Sequence, residues 1–240
     1  MLRVLAIFAI VCSAVHADDE PAPAPAQPKV ERIDDHTFRI GDIVFRKDTR
    51  TIRIPAEVNM TEGLLEYALV HANGKIHESL LLTRVNPTHV NLAFKLLGYR
   101  ASQELFRVPE EDGSASDRLF EVDEKTSAAA RTMVTVEWKQ GQETKSAALH
   151  EWISHAISER SMPAAPWIYG GSFLIEGSFA AETSGDLIAI FTSQTALLNY
   201  AGKDSDNDEV WIPAHGRVPA QGSSVTVVIS PANPAPSPKP

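Results

Sequence analysis

Hydrophobic and polar residues alternate with a period of two over much of the chain between residues 29 and 230, which is typical of strands with one buried face. Three pairs of alternating runs enclose short turn sequences, and these predict hairpins around Gly41-Asp42, Asn73-Gly74 and Gln140-Gly141. The paired runs are 37–40 with 43–46, 65–72 with 75–82, and 132–139 with 142–149. Further strands are predicted over 51–54, 187–191 and 225–229.

Helical spacing is rarer. Pro87-Thr88-His89 opens a predicted helix whose apolar positions share one face over 90–97 and whose stop signal is Gly98. A second short helix is predicted over 194–200. The pattern therefore predicts an α+β fold that is β-rich, with several antiparallel hairpins and two or three short helices.

The first seventeen residues have the pattern of an export signal. Arg3 supplies the positive charge, an apolar stretch covers 4–11, and Val15-His16-Ala17 places small residues where a signal peptidase cuts. Cleavage is expected before Asp18, which predicts a periplasmic or secreted protein. The alternative is a lipoprotein cut before Cys12, which would leave the mature protein tethered.

Proline-rich segments flank the predicted folded part. Residues 18–28 and 231–240 alternate proline with small or polar residues, and both are expected to be disordered. The folded domain is therefore expected over 29–230. An acidic stretch at 109–117 is a candidate boundary between two closely packed halves.

Charge and cysteine content exclude several classes. The formal net charge of −9 argues against nucleic acid as a partner, because such binding depends on basic surfaces. Cys12 is the single cysteine, so removal of the signal leaves no thiol for a disulfide, a thiolate metal site or an Fe–S cluster. No transmembrane segment is expected in the mature chain.

His77, Glu78, Ser79 and His89 are the candidate catalytic residues. A two-residue hairpin loop at Asn73-Gly74 would place His77 and Ser79 on one face of a strand, with His89 following on the next helix. A carboxylate buried there could act as an acid or a base. The simpler interpretation, which we favour at this stage, is that these side chains hydrogen-bond strand ends and loops.

Gly170-Gly171-Ser172 is a candidate ligand-binding segment, because paired glycines let a ligand approach the backbone closely. It is equally interpretable as a strand bulge. The segment lacks the features of a phosphate-binding loop.

Two segments are candidate metal-binding sites. Asp204, Asp206 and Asp208 alternate as at the start of a calcium loop, but the glycine and glutamate of an EF-hand are missing, so an acidic turn is the favoured interpretation. His150 and His155 are five residues apart, whereas the zinc motif on a helix needs four. We therefore expect no cofactor, with calcium as the alternative.

The order of several segments resembles the YdjY-like domain of exported bacterial proteins. The residues that carry the resemblance are Asn73 through Leu81, Pro87-Thr88-His89 through Gly98, Glu151-Trp152-Ile153, Gly171-Ser172, 185–199, Asp208 through Trp211, and 218–231. The resemblance implies an envelope location and singles out His77, Glu78 and Ser79. It implies no established activity and no catalytic residues.

Two hypotheses follow. The first is a non-catalytic exported domain that binds a small ligand or an unknown envelope protein, with Trp138, Trp152, Trp167 and Trp211 as candidate aromatic anchors. The alternative is a hydrolase or a metal-dependent enzyme that uses His77, Glu78, Ser79 and His89, and it predicts that these four side chains converge in a pocket.

Overall fold

The computed structural model describes residues 28–232. The predicted signal and almost all of the two proline-rich segments lie outside these residues. The helices are α1 (Pro87–Leu96), α2 (Glu124–Ala130) and α3 (Ala180–Ser184), with 3-10 turns at Ile76–Glu78 and Leu149–Trp152. The strands are β1 (Val30–Arg32), β2 (Thr37–Ile40), β3 (Ile43–Arg46), β4 (Thr51–Val58), β5 (Tyr67–His71), β6 (Ser79–Thr83), β7 (Arg107–Pro109), β8 (Ala115–Leu119), β9 (Arg131–Gln140), β10 (Glu143–Ala148), β11 (Ile153–His155), β12 (Trp167–Tyr169), β13 (Leu174–Ile175), β14 (Ser178–Phe179), β15 (Asp186–Ala189), β16 (Leu198–Tyr200), β17 (Trp211–Pro213) and β18 (Ser224–Pro231).

Eight strands close into a barrel. Their order is β4, β18, β9, β12, β16, β15, β5 and β6, and the ring closes where Val58 of β4 pairs with Leu81 of β6. The strands β1, β2 and β3 extend from β4 outside the ring, and β10 pairs with β9. The β-rich α+β class is confirmed, but the architecture is a closed barrel rather than a set of separate hairpins.

The barrel interior follows from the period-two pattern. Val225, Val227 and Ile229 alternate along β18 and are almost fully buried. They meet the buried residues of β4 and β9, such as Ile52 and Val136, on the strands to either side. Alternation thus places one apolar face of each long strand in the core.

Two of the three predicted hairpins are confirmed. Ile40 pairs with Ile43 across the turn Gly41-Asp42, and Gln140 pairs with Glu143 across a turn of Gly141 and Gln142, one residue later than predicted. Gly41 and Gly141 both have positive φ angles, as tight hairpin turns require. The helix predicted over 90–97 is also confirmed as α1, which begins at Pro87 with Asn86 as its N-cap.

The predicted hairpin around Asn73-Gly74 is wrong. The strands β5 and β6 are parallel, with Tyr67 beside Ser79 and Leu69 beside Leu81, and the 3-10 turn Ile76–Glu78 lies between them. Four consecutive residues of β5 are buried, as in a parallel strand covered on both faces. Gly74 packs against the backbone at Gly185, so tertiary contact rather than a hairpin determines its turn.

The helix predicted over 194–200 is also wrong. Leu198–Tyr200 is β16, which pairs in parallel with β15. The preceding residues cross the barrel's outer face as a loop, where Ala196 packs on Tyr67, Val70 and Ala189. We call residues 190–197 the crossover loop.

The acidic stretch at 109–117 lies within an arm of two short strands, β7 and β8. Arg107 pairs with Leu119 and Pro109 with Ala115. We call residues 107–119 the arm. The barrel contains strands that precede the arm in the sequence and strands that follow it.

Candidate functional site

The 3-10 turn before β6 places His77, Glu78 and Ser79 in different environments. The His77 side chain is 78% exposed and lies 3.7 Å from the Glu78 carboxylate. Ser79 is fully buried, and its hydroxyl donates a hydrogen bond of 2.8 Å to the Leu81 carbonyl oxygen. That hydroxyl therefore has a structural partner inside the barrel wall.

His89 lies in the first turn of α1, apart from these three residues. Its imidazole packs over Gly41, where an added Cβ would come within 2.8 Å of Nδ1. Within residues 28–232, no hydrogen bond or ion pair joins His89 to His77, Glu78 or Ser79. The structure does not join the four candidates into one hydrogen-bonded group.

Lys75 instead organises the polar residues near His77. Its ammonium lies 3.3 Å from Glu78, 3.5 Å from Glu66 and 3.3 Å from the Tyr67 hydroxyl. Burial, and next the negative charge of Glu78, raise the pKa of Glu66. Burial, and next the charge of Asp186, raise the pKa of Tyr67, so this hydroxyl remains a proton donor at neutral pH.

The residues predicted as metal ligands contact neighbouring protein groups. His155 stacks edge-on to Trp211, and its Nδ1 accepts a hydrogen bond from the Ile157 amide. The Asp204 carbonyl oxygen accepts a hydrogen bond from the Trp211 indole. In the part of the chain that the structure describes, no group of three or more His, Cys, Asp or Glu side chains is arranged to hold a metal ion, whether around His150 or around Asp206 and Asp208.

Gly170 and Ser172 line a cavity of about 450 Å³ between the arm and the start of β13. We call it the arm cavity. Gly171 turns the backbone at its edge with a φ of 76°, and a Cβ there would lie 2.9 Å from the Ala101 Cβ. The remaining walls are Gln103, Phe106, Arg107, Pro109, Gly113, Ser114, Ala115, Phe120, Phe173 and Gln194.

Three aromatic rings and one cation give the arm cavity its chemistry. Phe106, Phe120 and Phe173 supply apolar walls, and Arg107 is its one charged lining residue. The Arg107 guanidinium is oriented by bonds of 3.2 Å to the Ser116 carbonyl oxygen and to Asp117. Such a cavity suits a ligand with an apolar body and an acidic group.

An unpaired hydrogen-bond donor lies behind Gly170. Asn199 is 1% exposed, and its Oδ1 accepts a hydrogen bond of 2.7 Å from the Ser193 amide, whereas its Nδ2 has no partner. A Cβ added to Gly170 would meet Phe106 at 3.5 Å and Asn199 Nδ2 at 3.7 Å. Gly170 therefore lies between the arm cavity and the buried Asn199 amide, and the space there accommodates one added methyl group.

The arm cavity is lined by apolar, amide and hydroxyl groups and by one guanidinium. Its lining residues include no Asp, Glu, His, Lys or Cys. Sequence reasoning found Gly170 and Ser172 but missed Phe106, Arg107 and Phe120, which flank the stretch 109–117 interpreted as an acidic loop. Two phenylalanines bracketing a polar stretch were the available signal.

Comparison with known proteins gives one family. A family model described as the YdjY domain matches residues 43–230, from β3 to the penultimate residue of β18. The match leaves out β1 and β2, which lie outside the barrel. Neither the curated proteins nor the solved structures contain a significant match to this chain. Among residues 28–232, no helix is both long and apolar enough to cross a membrane.

Proposed function

The chain belongs to the YdjY domain family, and we propose that it is an exported envelope module that binds a small organic acid in the arm cavity. The ligand class is a carboxylate on a flat apolar body. Phe106, Phe120 and Phe173 hold the body, and Arg107 holds the carboxylate. Export rests on the positive and apolar pattern of the first seventeen residues.

The unpaired Asn199 amide carries this proposal. A buried donor without a partner costs roughly 1–3 kcal/mol, and native proteins retain few such groups. Here the donor lies behind Gly170, which lines the arm cavity, at 3.7 Å from the position of a Cβ added to that glycine. A ligand oxygen that reaches past Gly170 would satisfy it.

The enzyme alternative has weaker support. It requires Ser79 as a reactive hydroxyl, yet this group donates its hydrogen bond to Leu81 and is fully buried. His89 packs over Gly41 instead. The interpretation of these side chains as structural therefore agrees better with their contacts.

Calorimetric titration of the mature protein tests the proposal. We expect benzoate and phenylacetate to bind at least about tenfold more tightly than benzyl alcohol, because a hydrogen bond to a charged group contributes roughly 1.5–3 kcal/mol. Arg107→Gln should remove this preference. The exposed Arg118, on the same arm, provides the matched control Arg118→Gln. Equal binding of acid and alcohol by the unmodified protein contradicts the proposal.

Gly170→Ala gives an independent test. The methyl group fits at 3.5 Å from Phe106 and covers Asn199 Nδ2, so benzoate affinity should fall while the protein remains folded. Unchanged benzoate affinity in this variant would remove Asn199 from the site.

Cell fractionation with intact-mass measurement tests export. A periplasmic or secreted protein that begins at Asp18 supports the proposed cleavage. A lipid-modified N-terminus at Cys12 would make it a tethered module, and a full-length cytoplasmic protein would overturn the proposed location.

A further inference from the structure

A second cavity, of about 380 Å³, lies on the other side of the crossover loop. Gln194 lines the arm cavity, and the next residue, Thr195, lines the second one. The other walls of this cavity come from β13, β14 and α3, so we call it the helix cavity. Its lining residues are Ile175, Glu176, Ser178, Ala180, Thr183, Ser184 and Thr195.

A buried carboxylate adjoins the wall of the helix cavity. Asp186, at the start of β15, is 2% exposed. One wall residue touches the carboxylate: the Thr195 hydroxyl donates to its Oδ2. A second wall residue, Ser184, accepts a bond of 3.3 Å at its hydroxyl from the backbone amide of Asp186. The Tyr67 hydroxyl also donates to Oδ2, at 3.5 Å.

The other oxygen of Asp186, Oδ1, is buried and has no hydrogen-bond partner among the residues that the structure describes. No basic side chain within residues 28–232 forms an ion pair with Asp186, since the nearby Lys75 ammonium contacts Tyr67, Glu66 and Glu78 instead. A carboxylate oxygen in this position lacks the donor that would offset its removal from water. The group that completes this site is therefore a hydrogen-bond donor, and preferably a cation.

The two cavities have opposite charge. Glu176 is the one charged lining residue of the helix cavity, and Arg107 is that of the arm cavity. We propose that the helix cavity binds the ammonium group of a primary amine, which donates to Asp186 Oδ1 while its short alkyl chain packs on Ala180 and Ile175. Because Oδ1 is shielded from solvent, binding requires a side-chain movement, and Thr195 connects the wall to the carboxylate.

The test compares n-butylammonium chloride with n-butanol, which have the same alkyl chain. Each is titrated at constant ionic strength into the isotope-labelled mature protein, and amide shifts of Ser184 and Thr195 are followed by NMR. We expect butylammonium to bind at least about tenfold more tightly than butanol. Asp186→Asn should abolish that difference, whereas Glu176→Gln, a change at the cavity wall only, should reduce it less than threefold.

A second variant tests the proposal if Asp186→Asn does not fold. Thr183 is exposed on α3, so Thr183→Leu fills the cavity from its wall without disturbing the core and should remove butylammonium binding. Equal affinity for amine and alcohol in the unmodified protein overturns the proposal, as does a preference for the amine that survives in folded Asp186→Asn or in Thr183→Leu. Benzoate binding at the arm cavity is measured separately and is expected to be unaffected by Thr183→Leu.

Discussion

The barrel wall formed by β4, β18 and β9 carries long ladders, whereas the wall formed by β12, β16, β15 and β5 carries short ones. We call them the long-strand wall and the short-strand wall. Seven residue pairs join β18 to β9 without interruption, but two join β15 to β16, and the pairing of β15 with β5 shifts register twice. Register shifts disrupt a ladder locally and bend the strand, so the short-strand wall is the less regular of the two.

Polar side chains differ between the walls in the same way. On the long-strand wall, Arg53 and Glu137 form two hydrogen bonds, of 3.1 and 2.6 Å, across β18. On the short-strand wall, Asp186 and Asn199 are buried, and each has one side-chain atom without a hydrogen-bond partner among residues 28–232. Unpaired buried polar groups lower stability, so the short-strand wall carries a cost that the paired Arg53 and Glu137 avoid.

Truncation of the core gives the largest expected effect. Ile52, on β4, is fully buried, so Ile52→Ala should lower the free energy of unfolding by about 2–5 kcal/mol through lost burial and a cavity. Ile175 on β13 is 52% exposed, and Ile175→Ala should cost less than about 0.5 kcal/mol. Urea denaturation measures both changes. Similar losses in the two variants would contradict the difference in burial between Ile52 on the long-strand wall and Ile175 on β13, which lies outside both walls.

Two neighbouring glycines sharpen the comparison at the arm cavity. Gly171→Ala should destabilise the fold by about 1 kcal/mol or more, because its φ of 76° and the Ala101 contact both disfavour a side chain. Gly170→Ala should leave stability within about 0.5 kcal/mol, since its methyl group meets ordinary contact distances. The melting temperatures of the two variants provide the measurement, and a larger loss for Gly170→Ala would contradict our description of this wall.

Replacement of a carboxylate by an amide should change the stability of the protein in opposite directions on the two walls. Asp186→Asn removes a buried charge with an unpaired oxygen and should raise stability at pH 7 by about 1 kcal/mol. Glu137→Gln breaks a half-exposed ion pair and should lower it by about 0.5 kcal/mol. Denaturant midpoints of both variants test this, and a loss in both would mean that Asp186 contributes to the fold.

The pH dependence of stability gives the smallest expected effect. The hydrogen bonds from Arg53 lower the pKa of Glu137, so its stabilising contribution is present above the ordinary glutamate pKa and is lost as pH falls through the lowered one. Burial and Glu78 raise the pKa of Glu66, beside β5, so its ionisation is unfavourable above the raised pKa and this cost disappears as pH falls.

Glu66→Gln should therefore stabilise the protein at pH 7, with a gain that shrinks toward pH 4. Glu137→Gln should destabilise it at pH 7, with a loss that shrinks only at more acid pH. Urea midpoints recorded between pH 3 and 8 separate the two. Parallel curves for the two variants would show that neither carboxylate responds as its surroundings predict.

The sequence pattern predicts the strands of the long-strand wall more accurately than those of the short-strand wall, and particular residues show why. The runs on either side of Gln140-Gly141 alternate cleanly, so the hairpin could be predicted, but its turn lies one residue later, at Gly141 and Gln142. Ala68, Leu69 and Val70 are buried on both faces of β5, which removes the alternation that distinguishes a hairpin strand. The contact of Gly74 with Gly185 depends on a distant segment, and no local pattern encodes it.

The candidate sites were less accessible to sequence reasoning than the fold. Gly170 and Ser172 could be proposed because paired glycines stand out in a sequence. Asp186 and Asn199 have ordinary neighbours in the sequence, and their interest lies in burial without a partner, which only three-dimensional packing creates. His77 stands out in the sequence yet is exposed to solvent in the structure.

The position of β18 has a consequence for the order in which the protein can fold. Ile229 pairs with Ile52 on one side and Val134 on the other, so the last barrel strand along the chain separates two strands made much earlier. A chain that emerges N-terminus first cannot complete the ring until that strand is released, and such distant pairings form slowly. The barrel therefore cannot close until nearly all of the polypeptide has been synthesised.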